Sequence, residues 1–326
     1  MASPLILQIT KVVIIMYDTV NLLLPFTEVG DTSLIEEIPC YLTDVGEHNY
    51  SRDTIITGYL NGLKVIVSQT QVKVKDGSLC KYFLGDNFQM MRRADTQQAI
   101  EKMSDELHLP MARARITRLD VAVNLIMQYP IAIYLNHLGV MRYKTRYVEP
   151  NGLSYIAKLE RLLFYDKVRE QRAKGEFVPE MYRGRNLLRY EQRVLQRVPN
   201  VLKQQTVTGA SLYDEQFYTF LLKRLLTNYQ SIMKVNDIQL NTKTMKTVSE
   251  LKRMAVLELI EKFGGEVAFL NQIAEAQQRG EITAKQAHDL RKEIKKACTA
   301  GGEIVVKSDA IAELDKKLSE AVRYYR

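Results

Sequence analysis

Polar and apolar positions along the chain fall into two regimes. Up to about residue 200 they mostly alternate in short runs, as half-buried strands do. Residues 12–24 are β-branched and apolar, and residues 54–60 and 63–67 flank Asn61-Gly62, the strongest short signal for a two-residue hairpin. Residues 71–75 alternate as an edge or half-exposed strand, and Asp76-Gly77 turns the chain. Ala99, Ile100, Met103 and Leu107 have helical spacing over residues 96–107, with Asp95 or Thr96 as the cap. Residues 114–125 return to strand spacing, 131–138 predict a helix, and 153–168 predict a strand that turns polar before Gly175. Over 186–195, Leu188, Tyr190, Gln192 and Val194 share one face. Leu187, Arg189, Glu191, Arg193 and Leu195 share the other.

Beyond residue 200 the period becomes helical. Helices are expected over 217–234, 247–263, 266–279, 283–296 and 307–324, broken at Gly264-Gly265 and Gly280, with Ser308 and Asp309 as caps for the last. Together the two regimes predict an α+β fold: an antiparallel-sheet domain over 1–205, then a mainly α-helical C-terminal domain over 206–326, with the boundary in the polar stretch 204–209.

Composition narrows the partners. The 326 residues carry a net charge of +8 with a pI of about 9.2, which favours a polyanion such as nucleic acid. Cys40, Cys80 and Cys298 lie far apart, with no C-x-x-C pair, so neither a zinc site nor a disulfide framework is indicated. A reducing cytoplasm is the simplest reading, and no membrane partner is expected. The apolar start resembles a signal peptide only superficially. Gln8, Thr10 and Lys11 interrupt it, no basic segment precedes it, and it is too short to span a bilayer.

Three stretches carry candidate chemistry: Arg118-Leu-Asp-Val-Ala-Val-Asn124, Leu163-Phe-Tyr-Asp-Lys-Val-Arg-Glu170 and Leu188-Arg-Tyr-Glu-Gln-Arg-Val194. A lone acid inside an apolar alternation is costly unless paired or metal-bound. Asp120 therefore either binds a cation or pairs with an arginine such as Arg118. Glu191 has the same two readings, with Arg189 and Arg193 as its neighbours. Hard oxygen ligands select Mg²⁺ or Mn²⁺. Tyr165 is the candidate nucleophile. Strand spacing would place Lys167 and Arg169 on its own face, where cations stabilise a phenolate. Tyr190 is the second choice. Glu170 reads as a third metal ligand, a general base or a solvated acid. Lys73, Lys75, Arg118, Arg161, Arg169, Arg183, Arg185, Arg189 and Arg193 crowd the same segments as DNA-contact candidates, with Tyr182 and Tyr190 as base-stacking candidates. No nucleotide-phosphate loop of the G-x-x-x-x-G-K-[ST] or G-x-G-x-x-G type occurs, so ATP-driven strand separation is not supported.

These stretches, preceded by Asp18-Thr-Val-Asn-Leu-Leu-Leu-Pro25, follow one another in the order seen in replication initiators of filamentous phages and related plasmids. Over roughly residues 16–200 the chain resembles this gene II/X group of rolling-circle nickases. The resemblance implies that Tyr165 attacks an origin phosphate and forms a 5′-phosphotyrosine link. It also implies that Asp120 is a metal ligand, that the partners are single- and double-stranded origin DNA, and that host helicase and polymerase follow. The family usually begins near Asp18, so residues 1–15 are expected to be an extra strand or a dispensable extension. Many rolling-circle nickases bind metal through a His-hydrophobic-His pair. His48, His108, His137 and His288 form no such pair, which leaves carboxylates as ligands. The alternative reading is a non-enzymatic origin-binding or regulatory protein.

Overall fold

The computed structural model describes residues 16–30, 33–50, 53–89, 91–235, 237–238, 247–299, 305–306 and 308–323. The expectation for residues 1–15 lies outside them. The framework is one antiparallel sheet. Its strands are β1 (Met16–Pro25), β2 (Thr43–Tyr50), β3 (Asp53–Leu60), β4 (Leu63–Val67), β5 (Gln71–Lys75), β6 (Arg115–Met127), β8 (Thr145–Glu149), β9 (Gly152–Ile156), β10 (Glu160–Asp166) and β11 (Asn186–Val194). Between β6 and β8 lies β7 (Leu138–Met141), which pairs instead with β12 (Ile232–Lys234). The order across the sheet is β2-β3-β4-β5-β1-β6-β11-β10-β9-β8. The chain thus builds one wing as a meander, places β1 and β6 at the centre, and closes the other wing with β8 to β11.

The turn chemistry behaves as the sequence dictates. Leu60 pairs with Leu63 across Asn61-Gly62, and both turn residues have positive φ (46° and 85°), the geometry that a two-residue hairpin requires. Asp76, at φ 57°, turns the chain after β5. The expected strand over 153–168 divides into β9 and β10, and a helix begins at Lys167.

The helices are α1 (Ser33–Glu37), α2 (Leu79–Leu84), α3 (Arg93–Leu107), α4 (Ile131–Asn136), α5 (Lys167–Ala173), α6 (Val198–Leu202), α7 (Glu215–Gln230), α8 (Val248–Lys262), α9 (Glu266–Gln278), α10 (Ala284–Thr299) and α11 (Asp309–Arg323). Asp95 accepts from the Arg92 backbone N–H at the start of α3, so it caps from inside the first turn. The expected helix over 217–234 stops at Gln230, and the chain re-enters as β12.

One face of the sheet holds the main core. Val65, Val74, Leu22, Leu119, Val121, Val123, Phe164 and Tyr190 meet α3, α4, α7 and α11 there. Leu221, Leu222 and Leu225 of α7 and Ile311, Leu314 and Leu318 of α11 are buried in this same cluster. Tyr190 donates to the Leu225 carbonyl at 3.0 Å, and a buried Glu160 gathers Lys144, Gln192 and Arg224 between sheet and α7. The core therefore does not end at residue 205. Only α8, α9 and α10 pack around a small cluster of their own, built on Ile260, Ile273, Ala287 and Ile294.

Candidate active site

The opposite face of the central strands carries the candidate chemistry. Alternation along β11 puts Arg189, Glu191 and Arg193 on that face and Tyr190 and Gln192 in the core, as the sequence predicts. The register then fixes the neighbours. Arg189 lies opposite Asn124 of β6 and Tyr165 of β10, Glu191 opposite Ala122 and Leu163, and Arg193 opposite Asp120 and Arg161. Tyr165, Asp120 and Glu191 thus share one face of three adjacent strands, which their sequence separation alone does not guarantee.

The acids are held by arginines. Arg118 grips Asp120 with two hydrogen bonds, of 3.1 and 2.6 Å. Arg193 bonds Glu191 at 2.7 Å and lies 3.7 Å from Asp120. Both carboxylates are 1 % exposed. Burial pushes the Asp120 carboxyl up to about 6, against the pull of Arg118 and Arg193.

A third acid enters from β1. A bulge between Tyr17 and Val20 turns Asp18 toward the site. Its carboxylate accepts from the Ser78 hydroxyl at 2.6 Å and lies 2.8 Å from Arg189 Nη2. Burial alone would raise this carboxyl, but Arg189, Ser78 and Lys167 together hold it well below the usual carboxylate range. Ser78 acts twice, since its oxygen also accepts from Lys81 N–H and caps α2.

Asp18 opens the stretch that ends at Pro25, yet spacing gives it no role, because the bulge breaks the alternation that would show its face. Asn124 closes the Arg118 stretch, and spacing misses it likewise. Its amide donates to the Phe88 carbonyl at 3.2 Å, and Arg189 donates to the Asn87 carbonyl at the same distance. Both pin the loop at 86–89 over the site. Asp86 shapes that loop by accepting from the backbone of Phe88 and Gln89. Beside Asp18 opens a cleft of about 440 Å³, lined by Thr19, Asn61, Asp76, Ser78, Lys81 and Arg118 among others.

Tyr165 is the penultimate residue of β10 and is half-buried. Burial raises its hydroxyl above the ordinary tyrosine value. The Arg189 charge opposes this, while Glu191, Asp18 and Glu170 reinforce it. Lys167 and Arg169 do not continue its strand face, because Asp166 caps α5 at Arg169 N–H and the backbone becomes helical. Lys167 is 2 % exposed and donates to Glu170 at 3.0 Å and to Gln171 at 2.8 Å. Burial first, and then Arg189, lower its pKa. Glu170 also pairs with Lys174. Among the described residues no three His, Cys, Asp or Glu side chains gather closely enough to hold a metal ion. Glu170 is thus held between Lys167 and Lys174, and Asp18 joins Glu191 against the same Arg189 guanidinium.

The basic candidates separate by location. Arg189 is 0 % exposed, which corrects its expected place at the DNA surface: it is the internal counter-ion of Asp18. Arg118 and Arg193 are half-buried at the rim, and Arg161 is exposed beside them. Lys73 and Lys75 lie on the same sheet face, half-buried on β5. Arg183 and Arg185 are exposed in the loop before β11, and Arg169 is exposed on α5, where it borders a separate pocket beside α4. The two expected stacking residues are not free platforms. Tyr190 is buried against Phe164, and Tyr182 stacks on Phe88 at 5.3 Å.

Residues 16–215 match the family model that describes the N-terminal part of the replication-associated gene II protein. The chain belongs to this family. It is a family of phage replication initiators, in agreement with the motif order and with the sheet that brings the motifs together. No curated protein matches the chain significantly. No helix among the described residues is long and apolar enough to cross a membrane.

Proposed function

We propose that this replication initiator nicks and rejoins one strand of a phage or plasmid origin, with Tyr165 as the nucleophile. The observation that supports this reading most is the register that puts Tyr165 directly opposite Arg189, on one face with Asp120 and Glu191. The Tyr165 oxygen attacks the scissile phosphorus and the P–O3′ bond breaks. The phenol proton passes to a neighbouring carboxylate, and the departing 3′ oxygen takes up a proton. A 5′-phosphotyrosine and a free 3′-hydroxyl result. Because the phosphate stays esterified, the same hydroxyl can reverse the step and reseal the displaced strand.

The donor chemistry fits a hard divalent cation in the manner typical of Mg²⁺, which is commonly held by one or two carboxylates with water and substrate phosphate completing the shell. Asp120 and Glu191 would hold it, with Asp18 adjacent, and Mg²⁺ or Mn²⁺ there would neutralise charge developing on the phosphate. Arg118 and Arg193 occupy these acids in the free protein and stand at the rim. Both are forks suited to phosphate, so a DNA backbone competes for them with the carboxylates. Lys167 adds a buried positive charge near Asp18 and holds Glu170 in place. Arg161, Lys73, Lys75, Arg169, Arg183 and Arg185 extend the phosphate-contact surface. Polymerase extends the 3′ end, and a host helicase in a bacterial cytoplasm separates the strands.

The arginine pairing of every central acid favours one second reading, a non-enzymatic origin binder. Incubation of the full chain with supercoiled plasmid carrying the origin and Mn²⁺ separates the two. A relaxed product covalently bound to protein supports nicking. A mobility shift without relaxation supports the binder and overturns the nickase.

A further inference from the structure

The face that carries the acids continues in both directions beyond them and bears aromatic and cationic side chains. On the β8 wing, Tyr147 lies opposite Ser154, Ser154 opposite Leu163, and Leu163 opposite Glu191. Tyr147 therefore stands on the row of Glu191, three strands away and on the same face, at 58 % exposure. Between them Arg161 points outward beside Arg193.

On the other wing, Tyr59 lies opposite Lys64, and Lys64 opposite Lys75. Lys75 follows Val74, the partner of Leu22, and so sits beside Asn21, the partner of Arg118. The alternating neighbours Leu60, Leu63 and Val74 are buried in the core, which fixes Tyr59, Lys64 and Lys75 on the outer face. Tyr59 is 40 % exposed. The two lines of side chains cross β6 at different positions, Ala122 for that of Tyr147 and Arg118 for that of Tyr59, so the face carries a tyrosine on each side of the acids along an oblique path, with cations between. The nearby negative groups are few: Asp76 pairs with Lys75 at 2.8 Å, and Glu149, at the edge, accepts from Ser154.

We propose that single-stranded DNA crosses this face from wing to wing, with bases stacked on Tyr59 and Tyr147 and the scissile phosphate between them. The partner is unpaired because an aromatic ring stacks on a base face that a duplex keeps covered, and such stacking tolerates any sequence. Eight strand spacings separate β3 from β8, about 38 Å at about 4.8 Å per strand, room for a run of several nucleotides. A strand held at both flanks stays under tension across the central groups, and the cut ends remain in place for rejoining. This rests on the reading of the site as one that handles single-stranded DNA.

The test is fluorescence anisotropy of the full chain with a labelled oligothymidylate of about 12 nucleotides, a length within the usual range for such surfaces. Tyr59→Ala and Tyr147→Ala should each weaken binding about tenfold, and the two losses should multiply in the double variant. Trp at either position should restore affinity to within about twofold, since stacking needs only a ring. Val148→Ala is the control. Val148 adjoins Tyr147 and is 63 % exposed, but it pairs with Leu153 and belongs to the other face, so its loss should change nothing. Wild type that binds while both alanine variants bind equally well overturns the stacking proposal and leaves the nickase reading intact. An equal loss in Val148→Ala also overturns it. Wild type that binds no oligothymidylate overturns it as well, and the plasmid relaxation assay then decides the nickase reading separately.

Discussion

Arg189 Nη2 lies 2.8 Å from Asp18 Oδ2, and the guanidinium has no exposed surface. This pair ties β11 to β1 across β6, and the same arginine donates to the loop carbonyl of Asn87. Removing one partner of a buried pair leaves an uncompensated charge, which costs about 3–5 kcal/mol. Arg189→Leu should therefore unfold at clearly lower urea concentration than wild type, and Asp18→Asn/Arg189→Leu should recover part of the loss. The Asp18 carboxyl is depressed in the folded state, so its contribution is present above the ordinary carboxylate value and disappears as pH falls through the folded one. Urea midpoints measured at neutral and acid pH check both points. An Arg189→Leu protein as stable as wild type at neutral pH would show that the pair holds nothing.

Tyr165→Phe removes only a hydroxyl from a half-buried ring. Nicking and covalent adducts should vanish, while affinity for single-stranded origin DNA stays within about twofold, because the ring and its neighbours are kept. Denaturing gels of end-labelled DNA after incubation with Mn²⁺ give the readout. Adducts at the wild-type rate would reject Tyr165. Tyr190, the second choice, is fully buried against Phe164 and α7, so its replacement should act on stability instead.

Much of the sheet is legible because its signals are local. Asn61-Gly62 specifies a hairpin within two residues, and alternation over β11 places Glu191 beside two arginines without reference to the rest of the chain. What fails depends on breaks in period. Strand spacing continues the Tyr165 face to Lys167, but Asp166 caps a helix there. A bulge hides Asp18. Arg189 has the look of a surface cation, since its burial depends on Asp18 and the loop at 86–89, both distant in sequence. The helical period after residue 200 identifies α7 and α11 but not the sheet face that they cover.

Asp120 sets a pH expectation. Its carboxyl is raised to about 6 by burial, so it takes up a proton as pH falls through that value and loses its capacity to bind a cation. If it is a ligand, Mg²⁺- or Mn²⁺-dependent nicking should show an acid limb near pH 6, and Asp120→Asn should be inactive across the range. The stability effect has the opposite sign to that of Asp18. A raised folded value means that the stabilising contribution is present below the ordinary value of 3.8 and is lost as pH rises through about 6. Asp120→Asn should accordingly be no less stable than wild type at about pH 8, above the folded value. A folded Asp120→Asn protein that nicks normally would reduce Asp120 to the structural partner of Arg118.

The chain's organisation predicts where it can be cut. A break at residue 205 follows the change of sequence period, and a fragment 1–205 holds every candidate catalytic side chain. It would lack α7 and α11, however. Leu221, Leu222, Leu225, Ile311, Leu314 and Leu318 are each at most 3 % exposed in the main core, and each such side chain contributes about 1.5–3 kcal/mol by burial. Glu160 would also lose Arg224, and the Tyr190 hydroxyl its acceptor on Leu225. The sum is as large as the whole net stability of an ordinary domain. Fragment 1–205 should be insoluble, or collapsed without a cooperative thermal transition. Residues 247–299 carry α8 to α10, whose buried residues form a cluster separate from the main core. Replacing 247–299 with a short Gly/Ser linker should leave a cooperative transition and intact cleavage of a single-stranded oligonucleotide carrying the nick site, while binding to the duplex origin weakens if this helical unit contacts it. Calorimetry and the oligonucleotide assay on the two truncations give the answer. A stable, active 1–205 fragment would mean that α7 and α11 are dispensable, and the domain boundary would then lie where the sequence period changes.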